Sequence, residues 1–172
     1  GFEKYAGHFW GFHETRPYMR ARAGLATTLI ALGEEEAAIG HYRAMMELNP
    51  GDNQGIRYLL LSHLIRRGEM VEVKKLLAAY EDDWSTHWLY TRALIAFQDG
   101  DGEGEQAAEI VKEAWSYNDH VPAILAGTKR PAPSNTGYIT AGGADEASEY
   151  VLDCGPVWKQ TPGAVAWLGN LV

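Results

Sequence analysis

The sequence predicts an all-α protein, in which three consecutive helix-turn-helix hairpins wind into a right-handed superhelix and a helical C-terminal extension docks on the last of them. Three observations lead there. A 34-residue helix-turn-helix pattern lies on residues 19–52 and recurs, less regularly, over 53–85 and 86–118. Apolar residues in each segment return at the three- and four-residue spacing of a helix that buries one face. The composition of the 172 residues, 46% hydrophobic and 22% charged, is that of a folded chain.

Residues 1–14 read as an aromatic arm or cap, with Phe9, Trp10 and Phe12 available to cover the open end of a hairpin. Thr15 and Pro17 carry the N-cap and early-helix signals of the first helix, and the helical array is expected over 15–118. In the first hairpin Leu25, Ala26, Gly33, Ala38, Tyr42 and Pro50 occupy positions 7, 8, 15, 20, 24 and 32 of a 34-residue frame. That pattern resembles the tetratricopeptide repeat. Small Ala26 and Ala38 let the two helices approach, and Leu25 and Leu29 are expected to meet Tyr42 and Met45 across the seam. Gly33 suits the left-handed end of the first helix, and Pro50 stops the second.

The second hairpin pairs RYLLLSHLI with MVEVKKLLAAY around Arg67-Gly68, and Asp52 or Asn53 can cap its start. Its frame slips by one residue. Leu61 and Val73 replace alanine at the close-approach positions, so its helices should stand further apart. The third hairpin runs from WSTHWLYTRALIAFQ through the acidic, glycine-rich DGDGEGE to QAAEIVKEAWSYN. Three stacked hairpins with caps suffice to bury each unit's apolar face. Residues 119–172 form the extension: a short helix at HVPAILAG, an irregular crossing through TKRPAPSNTGYITAGG, and a final helical part from Asp145. That last part is expected to break at Gly155-Pro156 and resume through PGAVAWLGNLV.

The segments GHFWGFHETRPYMRARAGLA, LNPGDNQGIRYLLL, YEDDW, NDHVP and TPGAVAWL together resemble bacterial tetratricopeptide-repeat proteins similar to the C-terminal half of the suppression of tumorigenicity 7 family. The likeness spans nearly the whole chain. It implies an α-helical repeat fold and offers no established catalytic residue to carry over. The chain departs from the family's pattern at Cys154, Gly155 and Pro156, where a continuous helix is usual.

Fifteen Lys plus Arg against twenty-three Asp plus Glu leave a formal charge of -8. Such a surface repels a phosphate backbone, which excludes general nucleic-acid binding. The apolar runs, such as Leu59 to Leu61, fall far short of the roughly 20 residues that cross a bilayer, so no membrane partner is expected. One cysteine, Cys154, allows no internal disulfide, in keeping with a cytoplasmic setting.

Catalytic and metal chemistry find little support. Asp99, Asp101, Glu103 and Gly104 match the opening of a calcium loop, but Ile110 stands where the closing bidentate glutamate belongs and Glu109 comes one residue early. An acidic turn in solvent is the expected reading. His8 and His13 would sit about 140° apart around a helix, on no shared face. His41 and His63 read as packing or interface histidines, and His87 and His120 lie near helix starts. Neither a G-x-S-x-G elbow nor a phosphate-binding glycine loop occurs, and Cys154 precedes a Gly-Pro pair instead of opening a helix. No enzyme, cofactor or metal is predicted.

Arg16, Arg20 and Arg22 cluster at the first helix, Arg57 opens the third, and Glu81, Asp82 and Asp83 form an acidic run. These charges either pair to fix the stacking or line an anion-recognising groove. In tetratricopeptide arrays the first helix of each pair lines the concave face. Its repeat positions fall on Arg20, Ala23, Thr27 and Ile30, then on Gly55, Tyr58, Ser62 and Ile65, with Tyr90, Leu94 and Phe97 extending them. Ala23 and Thr27 replace the Lys and Asn that clamp a chaperone's terminal carboxylate. The predicted peptide-binding face is therefore Arg20, Thr27, Tyr58, Ser62, Tyr90, Leu94 and Phe97, aromatic and sparsely charged. The expected role is a non-catalytic protein- or peptide-binding scaffold whose arm could also seal a self-association. The alternative is a structural or regulatory accessory domain whose groove is filled by its own extension or a small ligand.

Overall fold

The computed structural model describes residues 2–100, 104–133 and 138–172, with side chains from residue 4 onward. A 3-10 turn, Phe2–Tyr5, precedes α1 (Arg16–Ala31), α2 (Glu35–Leu48), α3 (Ile56–Arg66), α4 (Met70–Ala79), α5 (Thr86–Gly100), α6 (Glu105–Tyr117), α7 (His120–Leu125), α8 (Ala144–Gln160) and α9 (Ala164–Leu171). The described residues contain no strand, and none of their helices is long and apolar enough to cross a membrane. The chain forms two compact units, residues 1–67 and 68–172, so the boundary falls at the Arg67-Gly68 turn.

In the first unit α1 packs on α2, and α2 on α3. Ala26 and Ala38 are fully buried, as a close approach between α1 and α2 requires, and Met19, Ile39, Tyr42 and Met45 fill the same core. The turn after α1 closes as sequence predicts. Gly33 takes φ +81°, its N–H donates to the Ile30 carbonyl at 3.0 Å, and the Glu34 N–H reaches back to Leu29 at 2.8 Å. This is the Schellman pattern, which satisfies two carbonyls left over at a helix end. Leu25 departs from expectation. It is 47% exposed, because with Ala26 at the seam a residue one step earlier is rotated about 100° away from it.

Thr15 also departs: it lends no side-chain cap to α1. Its hydroxyl donates to the carbonyls of Phe9 and, at 3.0 Å, Phe12, so it secures the arm. Phe9 is buried edge-on to Tyr18, with its N–H on the Leu48 carbonyl at 3.1 Å. At the start of α3 the buried Asp52 carboxylate accepts the N–H groups of Ile56 (2.8 Å) and Arg57 (2.9 Å) and pairs with the Arg57 guanidinium at 3.0 Å. Burial pushes this carboxyl's pKa up, against the pull of those same bonds. Asp52 is thus the cap that sequence assigns to itself or Asn53.

The second unit is organised around α5, whose residues from Thr86 to Thr91 and from Ala93 to Ile95 are all buried. A helix buried on so many sides must be surrounded. α6 and α8 pack on α5, α7 and α8 pack together, and α9 contacts α6, α7 and α8. A polar knot joins them. The Asn118 side-chain amide donates to the Thr86 hydroxyl (2.9 Å) and the Gly143 carbonyl (3.1 Å), while the Asn118 main-chain carbonyl accepts the Tyr90 hydroxyl at 2.6 Å. Buried Glu146 accepts the N–H groups of Thr86 (3.1 Å) and Gly142 (2.7 Å). Gly142 is required here, since a Cβ would stand 2.7 Å from the Tyr117 carbonyl oxygen and its φ is +69°.

The expected break at Gly155-Pro156 does not occur, and α8 runs through Pro156 to Gln160. Pro156 lies on the exposed side, while Tyr150, Cys154 and Trp158 on the other side are fully buried. That burial outweighs the roughly 3 kcal/mol of an interior proline. The chain turns instead at Thr161–Gly163, with Gly163 at φ +82°.

Asn118→Ala should cost about 2 kcal/mol, by stripping buried partners of their bonds. Urea unfolding would read it as a lowered midpoint with an unchanged slope. Glu109→Ala, on the exposed face of α6, should stay within about 0.5 kcal/mol.

Candidate recognition surface

The predicted face divides between the two units, and its members have unlike surroundings. In the first unit Arg16, Arg20, Gly24, Thr27 and Ala31 follow one stripe of α1, since steps of three and four residues keep to one side of a helix. Arg20, Gly24, Thr27 and Ala31 are exposed and Arg16 partly so, whereas Met19 and Ala26 point into the core. The Thr27 hydroxyl donates to the Ala23 carbonyl at 3.1 Å. It also hydrogen-bonds Tyr42, whose pKa burial raises.

The arginines stand on the arm. The guanidiniums of Arg16 and Arg20 each lie 5.5 Å from the centre of the Trp10 ring, and Arg16 Nε donates to the Trp10 carbonyl at 2.8 Å. Arg22, two residues beyond Arg20, points to the opposite side. It donates from Nε to His41 Nδ1 (3.1 Å) and from Nη1 to the Tyr18 hydroxyl (2.7 Å). Arg20 thus shares the Trp10 ring with Arg16, a grouping that the repeat frame does not assign. Their signal in the sequence is the absence of any Asp or Glu between Thr15 and Gly33.

On α3, Tyr58 is half-buried, with the Arg57 guanidinium 4.4 Å above its ring and an Arg57 N–H on its hydroxyl at 2.7 Å. Ser62 is buried, and its hydroxyl donates to the Tyr58 carbonyl at 2.8 Å; it serves its own helix and offers no surface. His63 is buried beside Tyr42, with Nδ1 2.6 Å from Glu35.

In the second unit Tyr90 and Leu94 are fully buried and cannot contact a ligand. Tyr90 lies 5.8 Å from Tyr150 of α8, and burial raises both hydroxyl pKa values. Phe97 is partly covered by Trp167 of α9, ring centres 5.1 Å apart. The reason is the row of large apolar side chains on α5: the extension supplies the surface that a groove would otherwise leave wet.

Asp99 binds Lys74 through both carboxylate oxygens at 2.8 Å, while Asp101 and Glu103 of the candidate calcium loop lie outside the described residues. No group of three or more His, Cys, Asp or Glu gathers into a metal-holding cluster among the described residues. Cys154 is fully buried. No protein-family model, curated protein or solved structure matches the chain.

Trp167→Ala should uncover Phe97. The expected result is a loss of about 2 kcal/mol in stability together with stronger fluorescence of an apolar dye in the native baseline.

Proposed function

We propose that the chain is a non-catalytic scaffold that binds a protein or peptide through the first unit, and that the apolar face of α5 is a filled, structural counterpart. The observation that carries this is the exposed stripe of α1. Two ordered arginines stand at one end, and Gly24, Thr27 and Ala31 leave backbone and small side chains accessible along the rest. A face without bulky side chains admits an extended segment closely, and anchored cations orient it. The 34-residue frame over 19–52 and the resemblance to bacterial tetratricopeptide-repeat proteins support the same reading.

The second reading, an accessory domain that fills its own groove, is favoured in residues 68–172 by the cover that Tyr150 and Trp167 provide. The two readings are compatible, since they concern different units.

Peptides selected from a displayed random library on the immobilised chain test the proposal. Thr27→Arg, which fills the stripe, should weaken selected peptides by about tenfold or more, while the thermal midpoint falls by only about 2–6 °C for the lost bond to Tyr42. If every selected peptide binds that variant as well as the parent, the α1 stripe is not the binding face.

A further inference from the structure

We propose that Arg16 and Arg20, mounted on Trp10, form a recognition site for an acidic peptide segment of a partner protein, whose Asp or Glu carboxylates dock on the edges of the two guanidiniums. This rests on the reading of the α1 stripe as a peptide-binding face and names the chemistry it selects.

The first observation is the distribution of charge. A chain of net charge -8 concentrates three arginines on α1 with no carboxylate from Thr15 to Gly33. Among the described residues neither Arg16 nor Arg20 forms an ion pair, whereas Arg57 and Arg67 do. The second is geometry. Arg16 and Arg20 are four residues apart, hence on one face of α1, and both guanidiniums lie 5.5 Å from the same indole. Trp10 is itself held: its carbonyl accepts Arg16 Nε at 2.8 Å and its N–H reaches Asn49 Oδ1 at 3.4 Å.

A guanidinium is planar with its N–H groups around its edge, and since Arg16 commits its Nε to the Trp10 carbonyl, the terminal nitrogens are what it can offer a ligand. The edge is the part that takes a carboxylate in two parallel bonds. Ordering by the indole removes rotamer freedom in advance, so less entropy is lost when a ligand arrives. Arg22 makes the contrast. Two of its donors are committed to His41 and Tyr18 on the other side of the helix.

Charge also selects among anions. The net charge of -8 disfavours a long phosphate backbone, which needs many cations to release its counterions, whereas a few carboxylates need interact only within a Debye length of the two arginines. A second copy of the chain would bring another net charge of -8 and is disfavoured.

The probe is a fluorescein-labelled, C-terminally amidated twelve-residue peptide of alternating Glu and Ala, titrated by anisotropy with the whole chain at 50 mM salt. Arg16→Gln with Arg20→Gln should weaken binding by about tenfold, and the paired Lys substitutions, which keep the charge but lose the flat fork, by about threefold. Arg22→Gln and Arg130→Gln should each change it by less than about twofold. Thermal melting of every variant shows whether the fold is kept, and the Lys pair serves if the Gln pair unfolds.

The inference is overturned if the parent chain does not bind the peptide at millimolar concentration, or if Arg22→Gln costs as much as the Gln pair. It is also overturned if a twelve-nucleotide single strand binds more tightly, or if sedimentation shows these arginines consumed in a dimer. Where library-selected peptides still respond to Thr27→Arg but the acidic probe does not bind, the scaffold reading survives and this one falls.

Discussion

α5 sets the terms for the second unit, because a helix buried on most of its sides from Thr86 to Ile95 has no stable place except among other helices. Surrounding it brings the backbone and polar groups at its start into the interior, where each needs a partner. Asn118 and Glu146 meet that need. Glu146, at the start of α8, accepts the N–H of Thr86, and Asn118, just past α6, donates to the Thr86 hydroxyl. The same two side chains bond Gly142 and Gly143 in the turn before α8. Burial of α5 and the attachment of the C-terminal extension are therefore one event.

The first unit obeys a different constraint. Its seam is built from alanines, so α1 and α2 come close, and close approach leaves little apolar width to spare on either helix. The outer face of α1 is free to be small and cationic, because burying Met19 and Ala26 suffices to hold it. The arm completes the arrangement: Phe9 enters the core, while the neighbouring Trp10 remains partly open beneath the arginines.

Features governed by local chain chemistry were legible in the sequence. Gly33 and Pro50 end their helices, Asp52 caps α3, and the small residues at 26 and 38 mark the seam, because each effect acts within a few residues. The stripe through Arg20 and Thr27 was legible for the same reason, helical periodicity alone placing it. The fate of Tyr90 and Leu94 was not. A repeat frame gives the direction in which a side chain leaves its helix, but what meets it there is supplied by Tyr150, some sixty residues on. The partnership of Trp10 with Arg16 and Arg20 likewise depends on how the arm folds back. Pro156 shows a local rule overridden: its penalty is fixed, whereas the gain from burying Tyr150, Cys154 and Trp158 on one uninterrupted face depends on the surrounding core.

The contrast between α1 and α5 bears on what either could recognise. An apolar groove attracts any oily segment, and the nearest such segment is the chain's own, present at a high effective concentration through its covalent tether. Aromatic residues on α5 thus acquire an internal partner. A cationic stripe flanked by small residues gives an apolar tail nothing to bury, yet it holds unsatisfied attraction for carboxylates. Salt confines that attraction to about a Debye length, so only groups held close to the two arginines feel it. Selectivity in such a setting follows from the length and charge spacing of the ligand more than from its hydrophobicity. Two arginines can match the charge of a short acidic segment but leave most of a longer polyanion unpaired.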